Sequence, residues 1–204
     1  MRAPRPHDLL WGLGAEALSA DAPGWARDVL AAGQPVVVRR GACAAGRVAV
    51  GIRGSARDLR LGCEMDLADI RRQLCPEALR LSTAGNHPAL RALAELTPVL
   101  DASGLQWGPT GSVAYHLATG LHTLRASSDL DLLVRTVCRI EREQAKALLD
   151  GLENAHVRVD VQLETPAGAI ALREWAGQSP RVLLKSVYGA RLVADPWQAA
   201  QEAA

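Results

Sequence analysis

Residues 127–134 read SSDLDLLV, a leucine-rich strand pattern that carries two aspartates one residue apart. Aspartate is among the poorest strand formers, and a carboxylate taken out of water without a partner is costly. Alternate strand residues share a face, so Asp129 and Asp131 project together while Leu130 and Leu132 face a core on the other side. The segment therefore specifies a sheet with one apolar face and one acidic face. Downstream, HVRVDVQLE alternates in the same way and sets Asp160 between Val159 and Val161. If the two strands are neighbours, three carboxylates converge on one patch. Their mutual repulsion raises the cost of keeping all three ionised, and a divalent cation removes that cost. Hard oxygen donors with no Cys or His beside them point to magnesium rather than zinc. A second reading stands beside this one: antiparallel sheets often keep one wet face, where Asp-Leu-Asp-Leu sits comfortably.

The 204 residues suit one large domain or two small ones, and charge divides them. Between Pro35 and Gly62 six arginines (Arg39, Arg40, Arg47, Arg53, Arg57 and Arg60) face one acid, Asp58. Between Ser127 and Gly177 nine acids outnumber six bases. A boundary near Gly85 gives a basic N-terminal α/β domain with a small antiparallel sheet at 1–84, and a second, mixed-sheet domain at 85–204. The expected class is α+β.

In the first part, PGWARDVLAAG reads as a helix opened by Pro23 and closed by Gly33. PVVVRR, RVAVGIR and RDLRLG read as strands. DLADIRRQL reads as a helix capped by Asp66, with Leu67, Ile70 and Leu74 at helical spacing. In the second part, NHPALRALAELTPVL is a helix for which Asn86 is the candidate cap and Pro88 suits the first turn. WGPTGS reads as a glycine-rich turn and SVAYHLATG as a short helix ending at Gly120. The strand SDLDLLVR follows, then an amphipathic helix from Arg139 to Glu153, the strand around Asp160, and short elements to the end.

Composition excludes several classes. A net charge of +1 gives no electrostatic case for nucleic-acid or membrane binding, and no run approaches a membrane span. With no Phe and two Tyr, a stacking single-strand binder is not expected. Cys43, Cys63, Cys75 and Cys138 form no CxxC pair and read as small buried thiols in a reducing, cytoplasmic setting. His116 and His122 read as core or surface histidines rather than a base, and Trp107 as a core anchor.

Upstream of the acidic strand, Gly108 and Gly111 in GPTGS allow close backbone approach to a ligand. Ser112 opens a helix whose N–H groups favour phosphate oxygens. Gly111-Ser112, the Asp129-Leu-Asp131 strand and Asp160 together resemble the polymerase-beta-type nucleotidyltransferase pattern. More narrowly, RPHDLLW, PVVVRRG, GPTGSVAYHLATG and SDLDLLVR look like the phosphoribosyl-dephospho-CoA transferases of malonate decarboxylase, also called malonate decarboxylase holo-acyl-carrier-protein synthases. The resemblance runs from Arg5 to about Val193.

That resemblance implies a nucleotidyltransferase-like catalytic domain that takes triphosphoribosyl-dephospho-CoA as donor and the serine of an apo-acyl-carrier protein as acceptor, releasing pyrophosphate. It implies Asp129, Asp131 and Asp160 as Mg2+ ligands, with Asp160 at the nucleophile, and Gly111 and Ser112 on the terminal phosphates. Arg125, Ser127 and Lys185, with Arg191 behind them, are further candidates for the donor. The basic N-terminal arginines suit an acidic carrier, donor phosphates or solvent alike. The alternatives are a small nucleotidyltransferase using ATP on a different acceptor, and a non-catalytic module with a wet acidic face.

Overall fold

The computed structural model describes residues 2–56, 58–79 and 85–198. The chain forms two compact units, Met1–Cys75 and Pro76–Ala204. The boundary expected at 84/85 falls beside residues 81–84, which lie outside the described residues, as does Arg57.

The first unit is an antiparallel sheet backed by one helix. Strands β1 (Leu9–Trp11), β2 (Val36–Val38), β3 (Arg47–Arg53), β4 (Arg60–Asp66) and β5 (Arg72–Leu74) lie in the order β4-β3-β2-β1-β5. Helix α1 (Gly24–Ala31) starts after Pro23, and Gly33 follows it at φ +68°. Its Ala26 and Leu30 join Val36, Val38, Ile52 and Met65 in one buried cluster.

The helix expected over DLADIRRQL does not form. β4 runs to Asp66 in a seven-pair ladder with β3, a single 3-10 turn covers Leu67–Asp69, and Arg72–Leu74 pairs with β1. Asp66 makes no side-chain cap. Ladder hydrogen bonds and the Arg72 guanidinium, 4.4 Å over the Trp11 ring, outweigh a local three-residue apolar spacing. The cysteines are also less buried than expected: three are half-buried and Cys138 is exposed. Burial still pushes the Cys63 thiol up from its ordinary value.

Asp8 was not singled out from sequence, yet it is fully buried. It accepts hydrogen bonds from Arg2 Nη2 at 3.0 Å, the Arg5 amide at 2.9 Å and Gln73 Nε2 at 2.8 Å. It ties the N-terminal arm to β5. Asp8→Ala leaves those donors without their acceptor, so urea unfolding of the variant is expected to show a loss of about 2–4 kcal/mol.

The second unit opens with a 3-10 turn, Pro76–Ala78. It continues with α2 (Pro88–Ala102), β6 (Gln106–Pro109), α3 (Gly111–Thr119), β7 (Leu130–Arg135), α4 (Arg142–Leu152) and β8 (Val159–Thr165). It ends with β9 (Gly168–Ala171), α5 (Leu172–Ala176), β10 (Val182–Ser186) and β11 (Gly189–Val193). The six strands lie in the order β11-β10-β9-β8-β7-β6. β7 and β8, joined through α4, pair in parallel; the other recorded ladders are antiparallel. The class is mixed α+β, as expected.

Two local expectations are corrected. The cap of α2 is His87 rather than Asn86, because Pro88 takes the first helical position and the residue before it becomes the cap. Most of WGPTGS is not a turn: Gln106–Pro109 is an edge strand paired with β7, an edge position being one that tolerates proline.

One face of this sheet is the core. Leu130, Leu132, Val134 and Leu163 pack there with Leu93 and Leu148 from α2 and α4. Trp107, 1% exposed, is a core anchor whose Nε1 donates to Asp101 Oδ1 at 2.9 Å. Alternation sends Asp131, Leu133 and Arg135 to the opposite face, with Asp160, Gln162 and Glu164 beside them.

Candidate active site

Asp131 and Asp160 stand opposite each other in the parallel β7–β8 ladder. Paired residues share a face, and neighbouring strands lie about 4.8 Å apart, so the two half-buried carboxylates are immediate neighbours. Asp129 comes one residue before β7. It is half-buried as well, and the next residue donates its amide to the Arg158 carbonyl at 2.9 Å. The strand that was expected to carry both aspartates thus begins between them.

The start of α3 is pressed against Asp131. The Thr110 amide donates to the Asp131 carbonyl at 2.8 Å. Gly111 follows at φ +61°, and a Cβ there would lie 2.2 Å from Asp131 Oδ2. Only glycine fits, on grounds of both backbone and space. The close approach foreseen for Gly111 is therefore to the aspartate itself. Gly108 admits something else: a Cβ on it would lie 2.1 Å from the Pro76 carbonyl oxygen. The opening turn of this unit crosses β6 there, and Glu77 forms a largely buried ion pair with Arg135, four residues along the strand from Asp131. Gly108 serves the chain's own packing.

Ser112 is half-buried in the first turn of α3, and its carbonyl accepts from Thr123 Oγ1 at 3.0 Å. That bond draws the loop 121–129 towards the helix start. His87 holds the same loop from α2. Its Nδ1 accepts from the Ala89 amide at 3.2 Å, so Nε2 carries the proton and donates to the Arg125 carbonyl at 2.9 Å. Arg125 and Ser127 are exposed in the tight turn closed by the Ser128 amide on the Arg125 carbonyl at 2.8 Å, directly before Asp129. His116 and His122, with rings 6.4 Å apart, sit at the far end of α3, where His116 Nδ1 donates to the Leu121 carbonyl.

Lys185 is not brought to this cluster. It shares the sheet face but is level with Glu164, through Ala169. That is two strands over and four residues beyond Asp160, about 13 Å along the strand direction alone. Arg191 pairs with Leu184, on the opposite face. Sequence reasoning missed Arg158, whose Nη2 lies 3.0 Å from Asp160 Oδ2. The alternation in VRVDVQL contained the signal, because residues two apart share a face. With side chains 72% and 44% exposed, this pair is solvated and exchangeable.

The set offers hard oxygen donors. Among the described residues, no group of three His, Cys, Asp or Glu is arranged to hold a metal ion. Magnesium does not require one: it is commonly held by one or two carboxylates, with phosphates and water completing the shell. Asp131 and Asp160 fit that mode.

Both units match models of one transferase family. Residues 5–76 match the N-terminal domain of phosphoribosyl-dephospho-CoA transferase MdcG, and residues 73–196 match its C-terminal domain. Curated proteins named phosphoribosyl-dephospho-CoA transferase are similar over nearly the whole length. One from Pseudomonas putida strain W619 is 65% identical, covering 97% of each chain. One from Azotobacter vinelandii is 54% identical over 96% of this chain and 95% of its own. One from Pseudomonas aeruginosa is 47% identical over 97% and 96%. No solved structure matches. The class is an α+β group-transfer enzyme in two units. The chain belongs to the phosphoribosyl-dephospho-CoA transferase MdcG family, and its activity is phosphoribosyl-dephospho-CoA transfer. No helix among the described residues is long and apolar enough to cross a membrane.

Proposed function

We propose that the chain moves the phosphoribosyl-dephospho-CoA group from triphosphoribosyl-dephospho-CoA to a serine of the malonate decarboxylase acyl-carrier protein, at the Asp131–Asp160 face. The observation that carries this reading is the pairing of the two aspartates in a parallel ladder, with the Gly111 backbone against one of them.

The serine oxygen attacks the phosphorus attached to the donor ribose. The new Ser–O–P bond forms as the bond to the β-phosphate breaks, and pyrophosphate leaves. Asp160 takes the hydroxyl proton once its solvated pair with Arg158 opens. The N–H groups at the start of α3, at Gly111 and Ser112, hold the terminal phosphates through hydrogen bonds and the helix dipole. Arg125 and Ser127, on the turn that leads into Asp129, approach the same phosphates. Asp131, Asp160 and Asp129 would hold Mg2+, which supplies neutralisation of the developing phosphate charge and orientation of the attacking and leaving oxygens.

The test is direct. Enzyme, authentic donor, apo-carrier and magnesium are mixed, and the carrier is followed by mass spectrometry while pyrophosphate is assayed. A mass gain on one serine with stoichiometric pyrophosphate is expected, and a chelator should suppress it. Plain ATP in place of the donor should leave the carrier unmodified. No mass gain with authentic donor would falsify the reading.

A further inference from the structure

The loop 121–129 that leads into Asp129 is anchored by side chains from outside and within. Leu124 packs against the core of the second unit. Thr123 Oγ1 ties the loop to the start of α3 through the Ser112 carbonyl. His87 reaches it from the cap of α2 and acts on the Arg125 carbonyl. That oxygen accepts from the Ser128 amide at 2.8 Å and from His87 Nε2 at 2.9 Å, so both of its lone pairs are used. The Arg125 amide donates to Ser128 Oγ at 2.9 Å and closes the turn from its other side.

The ring that braces this turn is itself stiff. Pro88 confines the residue before it to extended backbone, and His87 lies at φ −72°, ψ 137°. Its Nδ1 is occupied by the Ala89 amide at 3.2 Å, which fixes both the tautomer and the ring direction. One side chain therefore performs two separable tasks, capping α2 through Nδ1 and bracing the turn through Nε2. The cap alone does not call for histidine. Asparagine, aspartate and serine are the preferred caps, and all are too short to reach a second element. Histidine caps with one atom and still presents a donor on its far side.

We infer that His87 is a positioning residue for donor binding: through Nε2 it sets the turn that carries Arg125 and Ser127 and runs into Asp129. The inference rests on the reading that this turn approaches the donor phosphates. Misplacing a substrate-holding group by about 1 Å costs up to about a hundredfold, and loss of one brace among several costs less.

Two variants of the full chain separate the tasks. Asparagine sets its Oδ1 where Nδ1 stood and falls short of Arg125. Glutamine sets its amide nitrogen near the place of Nε2 and is not a capping residue. His87→Asn should keep the parental melting curve and lower kcat/KM for the donor about tenfold, with the KM for the carrier unchanged. His87→Gln should melt about 3 °C lower and recover donor kcat/KM to within about twofold of the parent. Parental donor kcat/KM in His87→Asn overturns the inference. So does a glutamine variant that is the less active of the two, because activity would then follow the cap. Arg125→Ala with Ser127→Ala tests the underlying reading separately. A raised donor KM is expected there, and an unchanged one removes the turn from donor binding and the inference with it. With that KM raised, a parental His87→Asn overturns the brace alone.

Discussion

Asp131→Asn is expected to lower carrier modification about a thousandfold, equivalent to about 4 kcal/mol of transition-state stabilisation. Its thermal unfolding curve should stay within about 2 °C of the parent. Asparagine keeps the shape of the side chain, removes its charge and exchanges one acceptor oxygen for an NH2 donor. The Leu130 and Leu132 packing and the β7 ladder do not involve the carboxylate, so both are kept. What disappears is half of the in-register acid pair, where on the proposed reading a divalent ion would bridge protein and phosphate. Mass-spectrometric single-turnover assays and a melting curve on one preparation read both quantities. Parental activity in Asp131→Asn would mean that the acidic face is merely wet, the alternative that sequence alone left open.

Gly111→Ala comes next in size. An added Cβ, 2.2 Å from Asp131 Oδ2, drives the carboxylate out of position, and φ +61° strains any L side chain. Two effects are expected: about a hundredfold loss of transfer from misplacement, and about 1 kcal/mol of stability from the backbone. Gly120→Ala separates them. Gly120 sits at φ +71° with nothing within 4 Å of its would-be Cβ, so the variant should show the same stability loss and near-parental activity. Equal activity losses in the two variants would place the Gly111 effect in the helix end rather than in the site.

Much of the acid pair is legible in the sequence, and for a plain reason. Period-two alternation in DLDLLV and VRVDVQL assigns every side chain to a face, so the shared face of Asp131 and Asp160 needed only the adjacency of the two strands. Elements whose identity depends on partners far away in sequence were not legible. DLADIRRQL carries a helical apolar spacing, but β1 and β3 claim its ends as strand. Gly108 reads like a ligand-approach glycine until Pro76 is seen against it. Lys185 could be placed on a strand, yet its level relative to Asp160 is set by the β8–β9–β10 register, which no local pattern encodes. Asp8 shows the same limit from the other side: its burial rests on Gln73, sixty-five positions away.

The parallel pairing of β7 with β8 has a consequence for how competence arises. A hairpin brings its two strands together within a few residues, but a parallel neighbour requires the chain to travel back along a crossover, here through α4. Asp131 and Asp160 therefore meet only after a non-local loop has closed, one of the slower events in the maturation of a small domain. No fragment ending before β8 contains the pair, so on the proposed reading a nascent chain gains its acidic site only when that crossover docks. Reactivity is in this sense a property of the finished topology.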